Sequence, residues 1–344
     1  MKKAISHYFL IIIVLMTILF DSCKKEKLPT VSTAEVTDIT ATIATCGGEI
    51  ISEGTTKVTV RGVCWSLNQN PTILDNQTTD GEGTGSFTSN ITGLTANTIY
   101  YVKAYATNSI GTAYGNELSF TTLTPTQVAD IDGNIYELVT IGTQTWMKEN
   151  LKTTKYNDGT ALPNITDNTA WSALTTGAYS DYNNTPSNSS TYGRLYNWYA
   201  VDNNAATKVA SNGGKNVCPT GWHVPSDTEW HSLILYLDQN AQDGSNHGNE
   251  SLIAGSKLKE TGTAHWQSPN TGVTNETGFT ALPGGSRNSN GSYNTIGTYG
   301  NWWSSTEYSS TLAYFRCMYN INSTVSRYGL DKPYGFSVRC LRDN

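Results

Sequence analysis

The stretch Cys218-Pro219-Thr220-Gly221-Trp222-His223-Val224-Pro225-Ser226-Asp227-Thr228-Glu229-Trp230 contains the start of a helix. Ser226 can accept from the amide three residues on, while Glu229 reaches back to the amide of Ser226, a reciprocal capping box. Trp230, Leu233, Ile234 and Leu237 then recur at i, i+3, i+4 and i+7, which predicts one apolar helix face with Trp230 in a core. Downstream, Leu252, Ile253 and Leu258 predict a second, shorter helix over 250–260. From Phe279 the pattern turns to short strands at Phe279–Leu282, Trp302–Ser305, Leu312–Met318 and Phe336–Leu341. Upstream, Asp130-Ile131-Asp132-Gly133-Asn134 leads through Leu138–Ile141 and Gly142-Thr143 into Gln144-Thr145-Trp146-Met147, which reads as a hairpin. A calcium loop of the EF-hand type needs Gly at its sixth position and Glu at its twelfth. Ile135 and Ile141 stand there, so turn chemistry is the better reading.

The first half of the chain is different. From about Thr30 to Leu123 it is Thr-rich and breaks into short runs at Ala41–Ala44, Val58–Trp65, Ile99–Ala106 and Leu118–Thr122, with no helical period. Such spacing argues for an antiparallel sandwich of roughly 90 residues. The whole chain of 344 residues has room for two domains or three. Charged residues make up only 15%, Tyr reaches 20 and Trp 9, and the net charge is −6. A basic face for nucleic acid is therefore missing as a global feature, and nucleic acid is not an expected partner.

At the N-terminus, Lys2 and Lys3 precede an apolar run from Phe9 to Phe20 that is too short to span a bilayer as a helix. Asp21-Ser22-Cys23 and the polar Lys24-Lys25-Glu26-Lys27 follow. This arrangement resembles a bacterial lipoprotein signal, which implies cleavage after residue 22, lipidation of Cys23 and a membrane anchor of acyl chains. The expected address is the cell envelope, as a surface-exposed outer-membrane lipoprotein. Export also permits disulfides. Cys46, Cys64, Cys218, Cys317 and Cys340 remain, an odd number whose pairing spacing does not fix. Cys46 and Cys64 fall on strands expected to be near each other, as a bridge or as two buried thiols.

Two resemblances organise the chain. Gly93-Leu94-Thr95-Ala96-Asn97-Thr98-Ile99-Tyr100, continuing as Tyr101-Val102-Lys103-Ala104, is similar to the tyrosine corner of fibronectin type III modules. That implies that Tyr100 bonds back to the preceding loop and that Val102 and Ala104 point into the core. Arg61-Gly62-Val63-Cys64-Trp65-Ser66 and Gly111-Thr112-Ala113-Tyr114-Gly115-Asn116 resemble Ig-like modules of bacterial surface lipoproteins, which serve as stalks. In the second half, Tyr192-Gly193-Arg194-Leu195-Tyr196-Asn197-Trp198-Tyr199-Ala200-Val201, the Cys218–Ser226 stretch, Gly278-Phe279-Thr280-Ala281-Leu282-Pro283-Gly284-Gly285, Trp303-Ser304-Ser305-Thr306-Glu307 and Tyr334-Gly335-Phe336-Ser337-Val338-Arg339-Cys340 resemble the Fibrobacter succinogenes major paralogous domain. That family is related to the C-type lectin and formylglycine-generating-enzyme fold. The resemblance implies a multidomain fold, an all-β Ig-like or fibronectin type III-like sandwich followed by an α+β C-type-lectin-like domain. It also implies a Cys218–Cys340 bridge, with Cys317 left over. The expected organisation is a signal peptide over 1–22, a tether over 23–29, the sandwich over 30–123, a linker over 124–127 and the lectin-like domain over 128–344.

Catalytic patterns are scarce. There is no Gly-x-Ser-x-Gly elbow, HExxH helix or Walker loop, and no cysteine or histidine cluster with zinc spacing. A bridged Cys218 and Cys340 would leave Cys317 without the thiol partner that oxidase chemistry needs. Asp181, Glu276 and Glu307 are candidate acid/base carboxylates, and His223, His231 and His265 candidate bases, with His223 better explained by packing. No cofactor or metal is expected, and an enzyme is the third reading. Binding comes first. Residues 287–333 mix Tyr, Trp, Asn and Arg, and such surfaces combine large rigid contact area with adaptable hydrogen bonds. Tyr299, Trp302, Tyr308, Arg316, Tyr319 and Arg327 are the ligand-binding candidates. Because adjacent strand residues face opposite ways, one of Trp302 and Trp303 must point inward. The calcium signatures of sugar-binding lectins, Glu-Pro-Asn and Trp-Asn-Asp, do not occur. The expected protein is a stalk with a binding head for a glycan or protein ligand. The alternative is a structural or assembly component of the envelope without a soluble ligand.

Overall fold

The capping box at Ser226 forms. In the computed structural model, which describes residues 25–202, 213–242 and 247–343, the Ser226 side chain accepts from the Glu229 amide and Glu229 accepts from the Ser226 amide. The helix runs Asp227–Leu237 and buries Trp230, Leu233, Ile234 and Leu237. Trp146 meets Trp230 at 4.8 Å between ring centroids and Phe279 edge-on at 5.7 Å. The signal segment 1–22 and Cys23 lie outside the described residues.

The chain forms two compact units. One gathers Thr45–Ile91 and Ile99–Phe120 with the described residues up to Val36; the other gathers Thr37–Ala44, Thr92–Thr98 and the described residues from Thr121 on. The first unit is built from antiparallel strands in two sheets. Thr30–Thr33, Ala44–Ser52 and Gly85–Ile91 make one, and Val60–Ser66 and Ile99–Asn108 lead the other, flanked by Asn76–Gln77, Gly111–Tyr114 and Leu118–Thr121. Val102 and Ala104 are fully buried, as expected, and Tyr100 stacks on Phe120 at 5.9 Å. The Cys46–Cys64 bridge does not form. The two residues sit on strands of different sheets, the Cys46 thiol turned to the carbonyls of Ala34 and Gly47 and that of Cys64 to the carbonyl of Lys103. Burial pushes both thiols up to about 11.

The second unit is mostly β. Its first five-stranded sheet runs in the order Trp222–His223, Leu341–Arg342, Gln144–Met147, Ile135–Ile141, Gln127–Ala129, so strands from the two ends of the unit pair side by side, Trp146 opposite Leu341. The hairpin at Gly142-Thr143 is present, with Ile141 opposite Gln144. In the loop before it, Asp130 accepts from the amides of Asp132 and Asn134 and from the Tyr136 hydroxyl, which is turn chemistry. A second five-stranded sheet orders Tyr179–Ser180, Leu195–Asn197, Gly335–Phe336, Ser286–Arg287 and Tyr293–Asn294. The third has four strands, Gly248–Ser251, Val325–Asp331, Leu312–Tyr319 and Tyr299–Glu307. A disulfide joins Cys218 to Cys340 with 5.9 Å between Cα atoms, and Cys317 is a buried free thiol.

Helix content is lower than the α+β expectation. The helix expected over 250–260 shrinks to Ala254–Leu258, because Gly248–Ser251 is taken as a strand by pairing with Val325–Arg327. Leu252 and Ile253, two of the residues on which that helix was read, are 65% and 48% exposed at that junction. Phe279–Leu282 is not a strand either. Phe279 and Ala281 are fully buried, and the segment makes a single bridge from Ala281 to Lys259 among the described residues.

Candidate functional site

Period-2 alternation on the third sheet sorts the candidate residues. The register sets Tyr299 opposite Tyr319, Asn301 opposite Cys317 and Trp303 opposite Phe315, with Tyr328 beyond Phe315 and Leu330 beyond Ala313. These residues share one face. The intervening Trp302, Arg316, Met318, Val325 and Arg327 share the other.

The second face is closed. Trp302 is fully buried and its indole donates to Asn150 Oδ1 at 2.8 Å, so it is a core residue and not a ligand platform. Trp303 is equally buried, donating to the Tyr196 carbonyl at 2.8 Å, since both faces of this sheet are covered at that level. Arg316 is fully buried as well. It joins Asp227 at 2.6 Å and Glu250 at 2.6 Å, and Glu250 also receives His231 at 2.7 Å. Arg327 pairs with the other oxygen of Asp227 at 2.5 Å and lies 3.8 Å over the Tyr314 ring. Burial pushes the Asp227 carboxyl up, but the two arginines outweigh it and hold it below its ordinary value. Charged groups buried this way need such partners, so both arginines are consumed by structure. Tyr308, 44% exposed, lies past the irregular register between Trp303 and Glu307 and packs on Tyr314 at 5.0 Å and His247 at 4.6 Å.

The first face opens into a cavity of about 220 Å³. Phe315, Cys317 and Phe336 are buried in its lining, while Tyr319, Tyr328 and Tyr334 are half-buried and Tyr299 is 37% exposed. Tyr299 and Tyr319 meet edge to face, 4.9 Å apart at 82°. Ser286, Asn288, Asn294 and Thr295 come from the neighbouring sheet and its turn, and Asn301 is fixed by donating to the Gly285 carbonyl at 3.1 Å. Among the described residues, the hydroxyls of Tyr299, Tyr328 and Tyr334 make no hydrogen bond to the protein. Burial pushes the Cys317 thiol up to about 12 and raises the Tyr319 hydroxyl, which has Cys317 and Ser326 beside it. Thus Tyr299 and Tyr319 are brought together, whereas Trp302, Arg316, Tyr308 and Arg327 are not. Asn301 and Tyr328 belong to the 287–333 stretch but not to the six candidates, although the parity of the strand positions marks them, and Tyr334 lies just beyond that stretch.

The candidate acid/base carboxylates do not converge. Asp181 receives Ser189 and pairs with Arg194, Glu276 pairs with Lys257 at 3.1 Å, and Glu307 pairs with Lys332. His223 bridges Glu229 at 3.0 Å and Asp343 at 2.5 Å, tying the capped helix to the C-terminal strand region. The hydrogen bond that His223 donates to Glu229 leads in raising it. His265 pairs with Glu260 at 2.8 Å.

Residues 139–342 match the model of the Fibrobacter succinogenes major domain, more than half of the chain, and the protein belongs to that family. No curated protein matches it. Among solved structures, the chain is similar to the sensor domain of the anti-sigma factor RsgI4 in Pseudobacteroides cellulosolvens, at 16% identity over 28% of this chain and 97% of that one, TM-score 0.23. It is also similar to the sixth fibronectin type III domain of human fibronectin type III domain containing protein 3, at 25% identity over 29% of this chain and 84% of that one, TM-score 0.21.

Proposed function

We propose that this protein is a lipid-anchored, surface-exposed envelope lipoprotein in which an Ig-like, fibronectin type III-like stalk carries a C-type-lectin-like head, and that the head binds a glycan or protein ligand at the tyrosine cavity. The observation that carries this reading is the cavity itself. It is concave, aromatic and lined by amides, with three tyrosine hydroxyls that make no hydrogen bond among the described residues, the chemistry of a small-ligand site. Pairing of strands from the two ends of the unit and the Cys218–Cys340 bridge support the lectin-like reading of the head. The anchor rests on Cys23 behind the apolar run Phe9–Phe20.

A screen of the protein against glycans and envelope extracts, run beside the Tyr299→Ala, Tyr319→Ala double variant, tests the head. Saturable binding that the double variant loses supports it. Failure of the folded wild-type protein to bind anything would turn the weight to a structural role. Incorporation of labelled palmitate, abolished by Cys23→Ala, tests the anchor.

A further inference from the structure

We infer that the cavity takes a single uncharged sugar ring, end-on and without a metal ion, an inference that rests on the binding-head reading and narrows it. Among the described residues its lining holds no Asp, Glu, Lys, Arg or His. The two ionisable groups pushed up there, the Cys317 thiol and the Tyr319 hydroxyl, are neutral at physiological pH. The nearest arginines along the strands, Arg316 and Arg327, point to the opposite face and are neutralised by Asp227 and Glu250. A ligand carboxylate or sulfate entering here would lose water without gaining a counter-charge. A divalent cation would find no carboxylate to hold it.

Size and shape narrow the ligand further. At about 220 Å³ the cavity falls below the roughly 300–1,000 Å³ usual for drug-sized ligands, so it fits one ring and not a length of chain. The perpendicular Tyr299 and Tyr319 rings offer a face and an edge, and the electron-rich face of an aromatic ring attracts the C–H side of a pyranose. Hydroxyls of the sugar can meet the Tyr299, Tyr328 and Tyr334 hydroxyls and the Asn288 and Asn294 amides.

The test is a titration of the full chain with methyl glycosides of glucose, galactose, mannose and N-acetylglucosamine and with glucuronate and galacturonate, each in calcium and in EDTA, followed by ligand-observed NMR. The expected result is saturable binding of at least one neutral glycoside, unchanged by EDTA. The matching uronate should bind at least about tenfold more weakly. Tyr299→Ala should abolish binding, and Tyr299→Phe, which keeps the ring and the fold, should weaken it about tenfold or less. A uronate that binds as well as its neutral counterpart, or binding that EDTA removes, overturns the inference and leaves the binding head standing. No response to any glycoside from the folded protein also overturns it. The head is then judged by the separate screen, where an interaction with envelope material lost in the Tyr299→Ala, Tyr319→Ala variant keeps it and no such interaction removes it.

Discussion

The two faces of the sheet formed by Tyr299–Glu307, Leu312–Tyr319 and Val325–Asp331 use much the same residues for opposite ends. On one face Trp302, Arg316 and Arg327 lie under cover, every charge answered by Asp227 or Glu250. On the other, Tyr299, Tyr319 and Tyr328 stand around a cavity with no charged side chain in its lining among the described residues. Composition does not distinguish an aromatic face that opens on a cavity from one that packs. The parity of each position along the strand does, together with what covers each face.

The largest effect separating the faces is expected at Arg316. Replacing it with Leu leaves Glu250 buried without its guanidinium, and denaturant unfolding should show a loss of about 3–5 kcal/mol. Next comes the bridge. Cys218→Ser with Cys340→Ser releases a closure of 122 residues that ties the C-terminal strand region to the segment before the capped helix, and should cost about 2–5 kcal/mol by the same measurement. A loss near zero in either case would dissolve the contrast between a closed and an open face.

Lys259 sharpens the contrast through pH. It is fully buried, with Nζ donating to the carbonyls of Tyr319 and Asn322 at 2.7 and 2.8 Å, so it pins the turn that follows Tyr319. Burial lowers it from 10.5 to about 8. Between those values the unfolded chain keeps a proton that the folded chain has lost, so stability should rise with pH from about 8 to 10.5, by up to about 3 kcal/mol relative to Lys259→Met. Stability curves of the two proteins that run parallel over this range would show that the buried amine stays charged.

A smaller, two-sided dependence is expected at the helix clamp. Burial pushes Glu229 up, but bonds from His223 and Ser226 outweigh it and hold the carboxyl down to about 2, while His223 is raised. The Glu229 contribution is present above 4.5 and lost as pH falls toward 2. That of His223 is present below 6.5 and lost as pH rises through its raised value. The clamp is therefore fullest between about pH 4.5 and 6.5, and Glu229→Gln, which also weakens the capping box, should cost about 1 kcal/mol there.

Local chemistry was legible in the sequence; pairing at a distance was not. The capping box at Ser226 and Glu229, the burial of Trp230, Leu233, Ile234 and Leu237, and the hairpin at Gly142-Thr143 are set by residues a few positions apart, and each formed as read. Gly248–Ser251 became a strand because residues some 75 positions later pair with it, so Leu252 and Ile253 lost the helical context their spacing suggested. At the candidate site, residues 287–333 include the strands that line the cavity, and of the six candidates Tyr299 and Tyr319 line it. Trp302 and Arg316 misled because the cover over their face, the helix Asp227–Leu237 with Asp227 and the strand bearing Glu250, is long-range. Cys46 and Cys64 are near in sequence but on separate sheets.

The measurement that bears most directly on the two-face account is a paired one on Tyr299→Ala and Trp302→Ala, each assayed for unfolding free energy and for binding in the glycan and envelope screen. Tyr299→Ala should move stability by no more than about 0.5 kcal/mol and abolish binding, whereas Trp302→Ala should cost about 3–5 kcal/mol. A Tyr299→Ala protein that binds as the wild type does, or that loses as much stability as the Trp302→Ala protein, would contradict the account.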